Sequence, residues 1–156
     1  MSKALIFTIA AGVAIGLAWP TGNSADEAVA AATTAERRET TLERERNGHF
    51  YTYADVNGEP VRFVVDTGAS LVALTTRDAK RLNIPFRPAE FDYVGEGASG
   101  AVRGKFVTVD SVEIEGKKVK NVKAVILEGS TLSLLGQSYL TRMGEVQMKG
   151  EYMILR

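Results

Sequence analysis

From residue 49 to residue 156 the apolar positions fall in short runs and alternations with a period near two, punctuated by glycine and asparagine. That is the patterning of strands and tight turns. Phe50–Val56 reads as a first strand, Asn57-Gly58 as a strong hairpin turn, and Pro60–Val65 as the returning strand. Leu71–Leu74 is a third, short strand. Thr76 is placed to cap a helix running to Leu82, with Asp78 near its start. Pro85 and Pro88 mark an exposed connection. Arg103–Val109 and Val112–Ile114 resume the strand pattern, and Glu115-Gly116-Lys117 reads as a turn. Lys118–Leu127 follows as a strand that grows more apolar toward its end. Ser133-Leu134-Leu135 runs into Gly136 and a short helix, Gln137–Arg142. Gly144–Met148 and Tyr152–Leu155 read as a terminal hairpin around Lys149-Gly150-Glu151. The pattern predicts an all-β domain over residues 49–156 with one or two short helices.

The first 48 residues have a different character. Lys3 is followed by an uncharged apolar run from Ala4 to Trp19. Such a start is an export signal or a short membrane anchor, at the low end of the roughly 20 residues that span a bilayer as a helix. Trp19 and Pro20 suit its outer interface, and Ser24-Ala25 makes a poor cleavage site, so the reading leans to an uncleaved signal-anchor within residues 1–25. Either outcome places the remainder outside the cytoplasm. Residues 26–48, rich in Ala, Thr, Glu and Arg, read as a polar linker with at most a weak helix around Glu36–Arg46.

Composition narrows the chemistry. The 156 residues carry 19 basic and 19 acidic side chains, so there is no basic footprint for nucleic acid. There is no cysteine, hence no disulfide, thiol nucleophile or thiolate metal site. His49 is the only histidine, which excludes a His-rich zinc site; just before the first strand, it reads as structural or solvated. Catalysis would fall to carboxylates, hydroxyls or lysines. Asp66 is the carboxylate that stands out, because a β-branched apolar run, Val61–Val65, broken only by Arg62, delivers it to Thr67-Gly68. Asp is among the residues least often buried without a partner. Its position has two readings, an Asx-turn that ends the strand or a functional carboxylate. Asp110, between Val109 and Ser111 with no glycine turn, reads as exposed.

Asp66-Thr67-Gly68-Ala69-Ser70 resembles the catalytic loop of pepsin-like aspartic proteases, and the chain is most similar to their bacterial, retropepsin-like branch. Leu134-Leu135-Gly136 resembles the apolar-apolar-Gly segment that crosses behind that loop and forms the psi-shaped core with the Asp-bearing strand. Val109-Asp110-Ser111-Val112 and the Val119–Val125 stretch are also similar to that branch. The resemblance implies a small closed β-barrel of the single-lobe acid protease type. It assigns Asp66, Thr67 and Gly68 to catalysis: the Asp as half of a dyad, the Thr hydroxyl as a brace across a twofold axis, the Gly amide as the group that holds the carboxylate. It makes Ala69, Ser70, Val72, Val94, Gly95, Gly97 and Gly136 candidates for contact with substrate, with Leu74 a further pocket candidate.

By order along the chain, the glycine-rich segment Glu90–Ala101 is the implied flap; read from its residues alone it is equally an ordinary surface loop. Gln137 stands where members more often have Met or Arg, and is expected to alter packing or interface contacts and not chemistry. Only one Asp-Thr-Gly occurs and no Asp-Ser-Gly, so a two-carboxylate site needs a homodimer. The implied activity is peptide-bond hydrolysis without cofactor or metal, on a peptide or protein substrate. The implied location is the periplasm or the periplasmic side of the inner membrane. The alternative is a catalytically inactive dimeric barrel that binds peptide or protein there.

Overall fold

The computed structural model describes residues 39–97 and 100–156. The apolar N-terminal run and the linker up to residue 38 therefore lie outside the described residues, as do Ala98 and Ser99. Among the described residues no helix is long and apolar enough to cross a membrane.

The first element corrects the sequence reading. Thr40–Glu43 is a strand, β1, where a polar linker with weak helical tendency was expected. It pairs antiparallel with the last strand, β10 (Tyr152–Leu155), in the register Thr40↔Leu155 to Glu43↔Tyr152. Local charge made this stretch look solvated. Its partner lies more than 100 residues away, so pairing could not be read from its own composition. β10 also pairs with β9 (Val146–Lys149), which forms the expected terminal hairpin.

The barrel follows. β2 (Tyr51–Val56) and β3 (Glu59–Val65) form a hairpin through Asn57-Gly58, both at positive φ (53° and 89°) as the twist of a two-residue turn requires. Next come β4 (Val72–Thr75), helix α1 (Thr76–Arg81), a single 3₁₀ turn at Pro88–Glu90, and β5 (Asp92–Gly97). β6 (Gly100–Ile114) and β7 (Lys117–Leu127) are long antiparallel partners joined at Glu115-Gly116. β8 (Ser133–Leu135) and helix α2 (Gln137–Met143) complete the set. The sheet order is β2-β3-β8-β4-β7-β6-β5, and β2 also pairs with β6. Six strands thus close into a barrel, with β5 as an extra strand on the β6 side. The expected all-β closed barrel with two short helices is the fold observed.

One cap differs from expectation. Thr75, not Thr76, caps α1: its Oγ1 accepts from the Asp78 amide at 3.0 Å. Ser133 Oγ of β8 donates to Asp78 Oδ2 at 2.7 Å and accepts from the Thr75 amide at 3.1 Å. The helix start is therefore tied to the strand that crosses the barrel centre. That strand and its neighbours carry the core, with Phe63, Val65, Leu74, Leu135, Tyr139 and Leu140 all buried. Tyr139 is fully enclosed, its hydroxyl donates to the Lys117 carbonyl at 2.7 Å, and burial raises its pKa well above the ordinary range.

Candidate active site

β3 and β8 lie side by side and parallel, with Val65 opposite Leu135. Each ends in the feature that matters: β3 in Asp66, β8 in Gly136. The Asp66 amide donates to the Leu135 carbonyl at 3.1 Å, which carries the pairing one residue past β3. The loop 66–71 then passes over Gly136 on its way to β4. Here glycine is required by space. A Cβ on Gly136 would lie 2.1 Å from the Leu71 carbonyl oxygen and 2.6 Å from that of Ala69. The crossing expected behind the loop is thus present.

The loop is held from behind at several points. The Gln137 and Ser138 amides donate to the Ala69 and Ser70 carbonyls at 2.8 and 3.0 Å. Ser138 Oγ accepts from the Val72 amide at 2.9 Å and donates to the Lys123 carbonyl at 2.7 Å. Gln137 Nε2 donates to the Thr67 carbonyl at 2.7 Å. At the front, the Gly68 amide donates to Asp66 Oδ1 at 2.9 Å. This bond makes the Asx-turn that one of the two readings of Asp66 expects, and the turn that ends the strand also orients the carboxylate. Asp66 is partly exposed and Thr67 exposed.

Asp66 faces a cleft of about 720 Å³ between the loop and the β5–β6 hairpin. Asp66, Gly68, Ala69, Ser70, Val94, Gly95 and Gly97 all line it, so seven of the residues expected from sequence are brought together. Val72 and Leu74 are not among them; both are fully buried in the barrel core. β4 is covered on both faces, so its alternation does not expose one side. Gly136 lies under the loop and serves the crossing. The apolar wall comes instead from Leu71, Ala73, Val102, Phe106, Val125, Leu127 and Leu134. Phe106 is 60% exposed there. The growing apolar character of β7 toward Leu127 was the one sequence signal for this wall. Asp110 is exposed, as expected.

The hairpin over the cleft is anchored at its base. Lys105 Nζ donates to Glu90 Oε2 at 2.8 Å and to the Pro85 carbonyl at 3.1 Å. Lys105, then the Arg87 amide and side chain, hold Glu90 at about 2, against an ordinary value of 4.5. Arg103 donates to the Phe91 carbonyl at 2.7 Å and pairs with Glu128 at 2.9 Å. Farther out, the β5–β6 register shifts between Tyr93 and Gly95, a bulge that twists the hairpin.

A profile of the family described as "gag-polyprotein putative aspartyl protease" matches residues 52–142. The chain belongs to the retropepsin-like aspartic protease family. The crystal structure of a retropepsin-like aspartic protease from Rickettsia conorii superposes with a TM-score of 0.63 at 35% identity, covering 76% of this chain and 89% of that one. An uncharacterized protein of Rickettsia prowazekii (strain Madrid E) is 34% identical over 123 residues, 78% of this chain and 53% of that protein. An uncharacterized protein from the cobV 5′ region of a Sinorhizobium species is 32% identical over 122 residues, 77% and 52% of the two chains. The chain spans about half the length of these two relatives. In this retropepsin-like domain, the sequence reading missed the direct bond from Gln137 to the catalytic-type loop, because two residues 70 positions apart meet only through the crossing.

Proposed function

We propose that the chain is an aspartic endopeptidase that acts as a homodimer, with one Asp66 from each subunit. The observation that carries this reading is the Asp66 carboxylate, oriented by the Gly68 amide at the edge of an apolar cleft under a β-hairpin. One chain supplies one such carboxylate, and an isologous C2 interface sets a residue near the axis opposite its own copy. At about 3 Å the two carboxyls share one proton. The ionised member takes a proton from a bound water, whose oxygen bonds to the scissile carbonyl carbon. The protonated member hydrogen-bonds the developing oxyanion, and its proton reaches the leaving amine as the C–N bond breaks. Thr67 braces the two loops across the axis. No cofactor or metal takes part.

The substrate is a peptide or protein segment bound extended, its backbone under the hairpin and its side chains against the apolar wall. Ala69, Ser70, Val94, Gly95 and Gly97 flank it. The N-terminal apolar segment holds the domain at the periplasmic side of the inner membrane or directs it to the periplasm. Activity is greatest on the acid side of neutral, where one of the two carboxyls is protonated; a flat profile up to pH 9 would contradict this. Asp66→Asn tests the reading directly. The expected result is loss of peptide cleavage with folding and dimerisation retained, and cleavage at the wild-type rate would exclude the dyad.

A further inference from the structure

The hydrogen bonds around Asp66 join into a line that runs through a single peptide unit. Gln137 Nε2 donates to the carbonyl of Thr67 at 2.7 Å. That carbonyl belongs to the Thr67–Gly68 peptide bond, whose N–H donates to Asp66 Oδ1 at 2.9 Å. A peptide bond is planar, so fixing its oxygen fixes the direction of its N–H. Each bond in such a line also polarises the next. Gln137 is fastened in turn: its own amide donates to the Ala69 carbonyl at 2.8 Å, and Gly136 before it sits beneath the loop with no room for a Cβ.

We propose that Gln137 is a positioning residue for the Asp66 carboxylate, acting through the Thr67–Gly68 peptide. This rests on the protease reading for its effect on turnover, but not for its effect on the loop. The loop 66–70 is short and its tip is exposed at Thr67 and Gly68. The Ala69 amide donates to the Asp66 carbonyl at 3.3 Å and closes the turn, but that bond leaves the central Thr67–Gly68 peptide free to flip, and only the Asx bond and the hydrogen bond from Gln137 act on that peptide directly. Rotation would carry the Gly68 N–H off the carboxylate and swing Thr67 out of its direction. Backbone bonds at Ala69 and Ser70 hold the rest of the loop whatever residue 137 is, so the fold survives its loss.

The test compares the full chain with Gln137→Ala and Gln137→Glu. At pH 7 a glutamate is ionised and has no N–H to donate. Both variants are expected to move the Gly68 amide proton resonance upfield, leaving those of Val64 and Val65 in place. In peptide cleavage, kcat is expected to fall about tenfold with KM within about twofold, as for small misplacements of a reacting group. An unmoved Gly68 resonance would overturn the proposal, as would a wild-type kcat in both variants. If the wild-type chain cleaves no peptide, the protease reading fails by itself, and the Gly68 resonance still decides for or against the role of Gln137.

Discussion

At the scale of single residues, the least replaceable position is Gly136. Its Cα hydrogens face backbone carbonyl oxygens of the loop, which cannot rotate away as a side chain would. Gly136→Ala is therefore expected to destabilise the domain by more than ~2 kcal/mol, in the upper part of the range for overpacking. Urea unfolding measures it, and a loss under ~0.5 kcal/mol would mean that the loop relaxes freely. Asp66 is the opposite case. It is partly exposed and bonded through one carboxylate oxygen that an Asn carbonyl can replace, so it can change without unfolding the chain. Asp66 and Gly136 are both legible in sequence, since an apolar run ending in Asp-Thr-Gly and an apolar pair ending in Gly are local patterns. Gln137 was not legible as a partner of Thr67, because its acceptor is a backbone oxygen that no pattern marks.

At the scale of elements, the N-terminal boundary matters. β1 occupies one edge of β10 and buries Thr40, at 6% exposure, against Lys117, at 5%. Lys117 Nζ donates to Thr40 Oγ1 at 2.8 Å, and Thr40 Oγ1 donates to Glu115 Oε2 at 2.5 Å. Desolvation lowers the affinity of the Lys117 ammonium for its proton. A chain starting at residue 49 loses this strand; one starting at residue 39 keeps it. The shorter chain is expected to be less stable by several kcal/mol, through the buried hydroxyl, the packing of Leu42 and the bared edge of β10. Comparative melting checks this, and equal midpoints would show that β1 is dispensable.

The hairpin base makes a prediction about acid. Glu90 is held at about 2 when folded, against 4.5 ordinarily. A lowered carboxylate contributes stability that is complete above the unfolded value and disappears as the pH falls through the folded one. The stability that the Glu90 contacts contribute is therefore complete above about pH 4.5 and is lost as the pH falls from 4.5 through about 2. Glu90→Gln is expected to flatten that limb of the stability profile. An unchanged slope between pH 4.5 and 2 would assign the acid loss to other groups.

At the scale of the whole molecule, the proposed activity requires two copies of the chain. Specific activity is expected to fall on dilution of the purified domain, together with the dimer fraction seen by analytical ultracentrifugation. Attachment to a membrane raises local concentration without any new contact. A chain with residues 1–38 in vesicles should thus stay active at dilutions where the domain alone does not. Equal activity of the two at low concentration would remove this role for the N-terminal segment.

The sequence alone determined the strand-rich class, the turns at Asn57-Gly58 and Glu115-Gly116, the closing hairpin and the two loop motifs, because each is set by neighbours within a few residues. The tertiary structure decided what depends on distant partners: that Thr40–Glu43 is a strand, that Val72 and Leu74 belong to the core, and that Phe106 and Leu127 face the cleft. It also decided that Gln137 reaches the loop of Asp66. Strand pairing and burial are properties of two segments at once, and local pattern describes only one of them.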